Sequence, residues 1–215
     1  HVRSRRQRQM CIRDRYLESR SFKSIFTNIE AKASDDIKQS RERVISFVNT
    51  IKQESEFTIP PLYLPEVMRA FAFISTQPVE MLDKLSRILR VKAGRYCIQF
   101  KKGDLKPQTR MSMVKDLARI VFEGERSRFP ELGASSDLVA FEEILFTANL
   151  LVPKDMLLVE LSKLDSRRNV VSELAALFWV PKSLIGFQLQ ELLRDQTQIS
   201  IPTITQNNTE AVESF

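Results

Sequence analysis

The chain has 215 residues, of which 43% are hydrophobic and 28% are charged, and this is the composition of an ordinary globular domain. No apolar run approaches the roughly eighteen residues that span a bilayer, so the sequence predicts neither a transmembrane segment nor a membrane partner. The formal net charge of +6 is typical of a protein that binds anions, but residues 1–15 hold six arginines and one aspartate, and the remaining chain is close to neutral.

Residues 1–15 show no apolar periodicity, and their string RQRQMCIRDR resembles translated sequencing-adapter sequence. We interpret this segment as non-native; a native basic tail and a nucleic-acid-binding arm are the alternatives. Without it the chain has no histidine, because His1 is the only one, and Cys97 is the only cysteine left. A single thiol predicts no disulfide and no cysteine-rich metal site, and it is typical of a protein of the reducing cytoplasm.

The first third of the chain predicts helices. Residues 16–39 are polar, and we interpret them as a flexible lead-in. Apolar residues then recur at helical spacing until Pro60-Pro61 ends the pattern. The predicted helices cover 36–51, 62–74 and a shorter stretch after Pro78 that includes Met81 and Leu85.

A small sheet and a second set of helices follow. Residues 95–101 alternate between polar and apolar side chains, which predicts a half-buried strand ending at the turn Gly103-Asp104. Residues 87–92 are its expected antiparallel partner across Ala93-Gly94. Consecutive helices are predicted over 112–123, 137–151, a segment opened by Pro153, 170–178 and 184–193.

These elements predict an α+β fold, with a small antiparallel sheet and a mostly helical body that share one core over residues 40–195. The closing helices, within 170–193, are split at Val180-Pro181 and have a helix-turn-helix-like pattern. Residues 196–215 are polar and rich in threonine and asparagine, which predicts a disordered tail.

Three segments, taken in order and spacing, resemble the ImmA/IrrE family of zinc metallopeptidases. They are RMSMVKDLAR at 110–119, EEILFTANLLVP at 142–153 and LAALFWVP at 174–181. The resemblance implies a zincin-like metallopeptidase fold, a metal-binding helix over the first segment, and a third zinc ligand supplied by an acidic residue of the second. Glu142 and Glu143 are the two candidates for that ligand.

The first segment departs from the family at the residues that hold zinc. An HExxH helix binds zinc through two histidines, and its glutamate is the general base. Lys115 and Arg119 stand where the histidines would be, and Asp116 stands where the base would be. Neither cation can ligate zinc, since the ammonium and the guanidinium have no free lone pair. We therefore expect no cofactor and no catalysis by the family mechanism.

Two interpretations of these charges remain open. In the first, Lys115 and Arg119 replace the charge of the metal and form a structural charge bridge to Glu142 and Glu143. In the second, Lys115, Asp116 and Arg119 form a solvated helix face.

The resemblance implies a function in regulation. Active members of such families cleave repressor or regulator proteins, so we expect a degenerate member to be a regulatory module that binds a protein partner such as a transcriptional regulator or repressor. One alternative is an active metallo-endopeptidase that cleaves such a protein. Another is a DNA-binding regulator acting through 170–193, whose second helix offers Lys182, Ser183, Gln188 and Gln190. A single cation there is too few for phosphate contacts, so we expect no nucleic-acid partner.

Removal of residues 1–15 is expected to leave the melting temperature unchanged, because a segment without apolar periodicity has no face to bury. Thermal unfolding of the full and shortened chains, followed by circular dichroism, measures this. A loss of several degrees would show that the segment packs on the fold.

Overall fold

The computed structural model describes residues 34–55, 57–103, 105–133, 137–164 and 169–199. The predictions for residues 1–15, for the lead-in up to residue 33 and for the tail from residue 200 lie outside this range. Within it the chain forms an α+β fold that is mostly helical, with seven α-helices and three strands. The elements are α1 (Ser34–Glu54), α2 (Leu64–Arg69), β1 (Ile74–Val79), β2 (Ser86–Val91), β3 (Arg95–Lys101), α3 (Pro107–Arg119), α4 (Val139–Leu151), α5 (Lys154–Lys163), α6 (Val170–Leu177) and α7 (Lys182–Ile199).

The first helix confirms its apolar pattern. Val44, Phe47, Val48 and Ile51 are buried at helical spacing along one side of α1. The helix begins at Ser34, with two aspartates in its first turn that favour the positive end of the helix dipole. The helix therefore includes the last six residues, 34–39, of the segment interpreted as a flexible lead-in.

The sheet differs most from its prediction. Its order is β1-β3-β2, with β1 parallel and β2 antiparallel to β3, so it is mixed and not antiparallel. Of the helix expected over 62–74, only α2 is present. The prediction of a helix after Pro78 was wrong, because Pro78 lies inside β1 and β2 follows at Ser86. The sequence hid β1 because four of its six residues are exposed, so no alternation of apolar side chains marks it.

The β2–β3 hairpin confirms the strand pattern and the antiparallel pairing. Ile88 pairs with Ile98 in the middle of the hairpin, and Val91 pairs with Arg95 at its closed end. Ala93 and Gly94 both have positive φ in the connection, at 63° and 66°. A left-handed conformation is strained for alanine, whereas glycine adopts it at no cost.

The helices of the second half pack around α4. Ten of its thirteen residues are buried, and it contacts α1, α3 and α7. Leu145, Phe146 and Leu150 are fully enclosed. α7 continues to Ile199, four residues into the segment for which the sequence predicts a disordered tail.

No single helix in the described ranges is long and apolar enough to cross a membrane. By length and composition, one pair passes the same test when its two helices are taken together: α6 with residues 182–194, which are bent by 110°.

A buried ion pair joins α4 to the segment that follows α3. Nη1 of Arg126 donates to Oε2 of Glu142 at 2.6 Å, and Nη2 donates to Oε1 at 3.2 Å. Arg126 also donates to the carbonyls of Leu132 and Gly133, and Ser40 of α1 donates to Oε1 of Glu142 at 2.7 Å. Every charged atom of the pair is thus compensated, which a buried charge requires.

Arg126→Ala is expected to cost about 3–5 kcal/mol of unfolding free energy, because it leaves the Glu142 carboxylate buried without its counter-charge. Urea titration of both proteins measures the difference. The control is Arg69→Ala in the exposed pair Arg69–Glu66, where about 0–1 kcal/mol is expected. A cycle with Glu142→Gln should give a coupling above roughly 1 kcal/mol, and additive effects would contradict the pairing.

Candidate functional site

Five charged side chains meet where α3 faces α4. Lys115, Asp116 and Arg119 belong to α3, Glu123 lies in the turn that continues it, and Glu143 lies on α4. The four residues on the α3 side all act electrostatically on Glu143: the two cations lower its pKa, and the two carboxylates raise it. We call these five residues the α3–α4 charge cluster.

The sequence of α3 accounts for this arrangement. Val114, Leu117 and Ala118 are completely buried, which fixes the rotation of the helix. Lys115 and Arg119 are one turn apart on a more open side, because residues at i and i+4 share a face. The chain then continues as a π-helical turn, Ile120–Gly124, before it leaves the helix direction. Such turns are rare, and they occur often at functional sites.

Asp116 connects this helix to the edge of the sheet. Ser86 at the start of β2 donates to Oδ2 of Asp116 at 2.6 Å, and the hydroxyls of Ser86 and Ser112 are 2.6 Å apart. Burial raises the pKa of Asp116, and the Ser86 hydrogen bond and the charge of Arg119 oppose that rise. Ser86 is itself buried. The two serines therefore hold the carboxylate against β2.

Glu143 is the most perturbed group of the cluster. Burial raises its pKa to about 7, and the neighbouring Glu123 carboxylate adds to the rise. Lys115 and Arg119 act in the opposite direction without cancelling it. In the described chain its Oε1 atom is buried with no hydrogen-bond partner. Glu143 therefore changes charge near neutral pH, with both cations of the cluster within electrostatic reach.

The structure separates the two glutamates that the sequence left as alternatives. Glu142 is 1% exposed and faces the core, where Arg126 and Ser40 take both of its oxygens. The hypothesis that Glu142 bridges to Lys115 and Arg119 was therefore wrong. Adjacent residues of a helix point about 100° apart, so only one of the pair can face α3.

Arg119 also differs from the buried partner that a charge bridge would use. Its side chain is 54% exposed, and its ion pair in the described chain is with Asp116 of its own helix, at 3.9 Å. An ion pair one turn apart whose cation is half exposed contributes a few tenths of a kcal/mol. Among the described residues, Arg119 therefore forms no buried salt bridge from α3 to α4.

The donor atoms of the α3–α4 charge cluster do not fit zinc. A catalytic zinc site needs three protein ligands, usually histidine, cysteine or carboxylate. Here two cations stand among the three carboxylates of the cluster, and the Asp116 carboxylate is bonded to Ser86. In the described ranges no three histidine, cysteine or acidic side chains are grouped as metal ligands.

The closing helices offer little to DNA. Gln188, one of the four polar residues predicted to face it, is fully buried, and it donates to the carbonyl of Val152 at 2.6 Å. Lys182, Ser183 and Gln190 are exposed. Trp179 takes the left-handed conformation between α6 and α7, with φ of 53°, and its ring lies 5.8 Å from the Arg110 guanidinium.

Sequence patterns did not reveal the serines of the site. Ser86 and Ser112 come together only because β2 packs against α3, 26 residues further along the chain. Glu123 was expected as one of the anionic groups that neutralise Lys115 and Arg119, but its place in a π-helical turn was not, since such a turn leaves no sequence signal.

No protein-family model matches this sequence, no curated protein matches it, and no solved structure matches the fold. Any assignment of function therefore rests on the residues of the chain and their geometry.

Glu143→Gln is expected to change how stability depends on pH. The carboxyl titrates near 4.5 in the unfolded chain and near 7 in the folded one. Between these values the unfolded state releases a proton that the folded state retains, so the folded protein loses stability as the pH rises. Glutamine removes this loss, and the variant should be more stable than the parent by about 1–2 kcal/mol at pH 8 after allowance for partial exposure.

The measurement is urea unfolding of both proteins between pH 4 and 8. At pH 4 the Glu143 carboxyl is largely protonated in both the folded and the unfolded parent, so the parent and the variant should be nearly equal in stability. Glu131→Gln, at an exposed position outside the cluster, is the matched control and should follow the parent at every pH. A constant difference between Glu143→Gln and the parent over the whole range would contradict the raised pKa.

Proposed function

We propose that this chain is a non-catalytic regulatory module that binds a protein partner, built on the zincin-like fold of the ImmA/IrrE peptidases. The observation that carries the proposal is the composition of the α3–α4 charge cluster. Lys115 and Arg119 lie within electrostatic reach of Glu143, and the family resemblance assigns those three positions to two histidines and an acidic zinc ligand.

The cluster supports binding better than hydrolysis. Hydrolysis of a peptide by this family's mechanism needs a Lewis acid to polarise the carbonyl and a base to activate water. Two cations supply positive charge without a coordination site, and Asp116 is held by Ser86. The α3–α4 charge cluster can therefore attract and orient an anionic or polar group of a partner, but its residues do not supply the metal-dependent step.

The edge of the sheet beside the α3–α4 charge cluster supports binding of an extended segment. Lys101 donates its backbone N–H to the carbonyl of Leu85, which fixes the hydrogen-bonded register of β2 with β3. In an antiparallel pair the alternate residues point their backbone groups away from the partner strand. Ser86, Ile88 and Arg90 therefore present N–H and C=O groups outward, and no strand in the described chain pairs with them.

An unpaired strand edge is a ready site for strand addition. Because the hydroxyl of Ser86 is bonded to Asp116, a segment added along β2 passes directly beside the α3–α4 charge cluster. Active members of the resembled family act on repressor or regulator proteins. We therefore propose a regulator or repressor protein as the partner, bound through an extended segment along β2.

The metal-free part of the proposal is tested by elemental analysis of the purified full chain without tag histidines. We expect far less than one zinc per chain. The triple variant Lys115→His, Asp116→Glu, Arg119→His is the positive comparison, since it restores the ligand types of an HExxH helix. A zinc-to-protein ratio near one in the parent chain would overturn the non-catalytic assignment.

The binding part is tested with an array of unrelated extended peptides, each made with and without N-methyl groups on alternate backbone amides. Strand addition predicts that peptides which bind the full chain lose binding on N-methylation, because the methyl group removes the donor that pairs with β2. The two sets of alternate amides point to opposite edges of the bound peptide, and only one set can pair with β2. Binding that survives N-methylation of each set in turn would exclude strand addition.

A further inference from the structure

The β2–β3 hairpin and its two ends carry all of their charge in one sign. Between residues 84 and 102 the chain has seven cations and no acid. Because residues 1–15 account for five further positive charges, the rest of the protein is net negative, so the hairpin is the basic region of an otherwise acidic body. The seven cations are Lys84, Arg87, Arg90, Lys92, Arg95, Lys101 and Lys102.

Most of these cations form no ion pair in the described chain, although Lys84 and Arg90 act electrostatically on Asp116 and Glu125. All seven are exposed. In the described part of the chain only Lys102 forms an ion pair among them, with the exposed Glu80 at 3.8 Å. Arg87 donates its Nε to Gln99 at 2.8 Å, which leaves its charge without an acidic neighbour. Seven like charges on one hairpin repel one another, and an anionic partner would remove that cost.

Aliphatic side chains lie among the cations. Leu85, Leu89 and Val91 are between 38% and 48% exposed, and Leu82 is fully exposed. Side chains alternate between the faces of a strand, so Leu85, Arg87, Leu89 and Val91 share the outer face of the sheet. Ile88, half-buried, and Arg90, exposed, lie on the opposite face. The four consecutive positions 87–90 are therefore cation, aliphatic, aliphatic, cation.

We propose that the partner segment bound along β2 is acidic, with the order acid, aliphatic, aliphatic, acid opposite Arg87, Ile88, Leu89 and Arg90. This inference rests on the proposed function, and it specifies the chemistry of the partner at the same edge. In a paired strand each residue lies about 5 Å from the residue opposite and on the same face of the sheet. The two acids of such a segment meet the two arginines, and its two aliphatic residues cover Ile88 and Leu89.

A nucleic acid explains less of this surface than an acidic peptide. Phosphates would use the cations, but they would leave the exposed aliphatic residues and the outward backbone groups of β2 without partners. No aromatic side chain of β2 is available for base stacking, since its sequence is SRILRV. An acidic extended peptide would pair with the cations, cover the exposed aliphatic side chains and bond to the outward backbone groups of β2.

The probe is a synthetic nine-residue peptide with glutamate, valine, valine, glutamate at its centre and a fluorophore at one end. The matched peptides have glutamine or lysine in place of the two glutamates. Binding to the full chain is followed by fluorescence anisotropy at low and at high salt. We expect the glutamate peptide to bind roughly tenfold more tightly than the glutamine peptide, with the difference shrinking at high salt.

Charge reversal on the protein completes the test. Arg87→Glu with Arg90→Glu should abolish binding of the glutamate peptide and allow binding of the lysine peptide. The matched control is Lys38→Glu with Lys182→Glu, two exposed cations on helices, which should leave both affinities within about twofold. Arg87→Gln with Arg90→Gln is the milder variant if the reversal impairs folding, and it should reduce the affinity for the glutamate peptide to that of the glutamine peptide.

The outcomes separate this inference from the proposed function. Equal binding of the glutamate and glutamine peptides overturns the acidic partner but leaves strand addition intact. Failure of both peptides to bind overturns the acidic partner and the proposed use of β2 together. If a labelled single-stranded DNA binds through Arg87 and Arg90 while neither peptide does, the acidic peptide is replaced by a nucleic acid.

Discussion

The burial of α4 is the constraint on which the rest of the structure depends. This helix is apolar around most of its circumference, so it is stable only when other elements cover it on every side. α1 and α3 contact it most extensively, and α7 completes the enclosure. The one carboxylate that points into this core, Glu142, is accommodated because Arg126, Ser40 and two backbone carbonyls form a closed network with it.

The same helix accounts for the position of Glu143 in the α3–α4 charge cluster. Glu143 follows Glu142 directly, and the turn of the helix moves it from the core to the α3 side. There it meets charges of both signs, and burial raises its pKa to about 7. Two neighbouring glutamates thus have opposite roles, one as a structural partner of an arginine and one as a titrating group of that cluster.

The sequence predicted those parts of the fold whose side chains are sorted by burial. α1, β3 and α4 each have a clear apolar pattern, and each is present close to its predicted limits. β1 could not be predicted in this way, since four of its six residues are exposed and its pairing with β3 comes from a distant part of the chain. The site followed the same rule. Lys115, Asp116 and Arg119 were visible as a motif, whereas the choice between Glu142 and Glu143 and the role of Ser86 depended on packing.

The far edge of the sheet has a consequence for assembly. β3 donates its backbone N–H groups of Tyr96 and Lys102 to the carbonyls of Phe73 and Val79, so the alternate residues Ile74, Thr76 and Pro78 turn their backbones outward. Proline has no N–H to offer, and a strand cannot extend the ladder past it. Pro78 therefore interrupts the row of backbone donors on the β1 edge, whereas Ser86, Ile88 and Arg90 leave the row on β2 complete. The interruption at Pro78 disfavours repeated edge-to-edge joining of copies of the chain into a fibre.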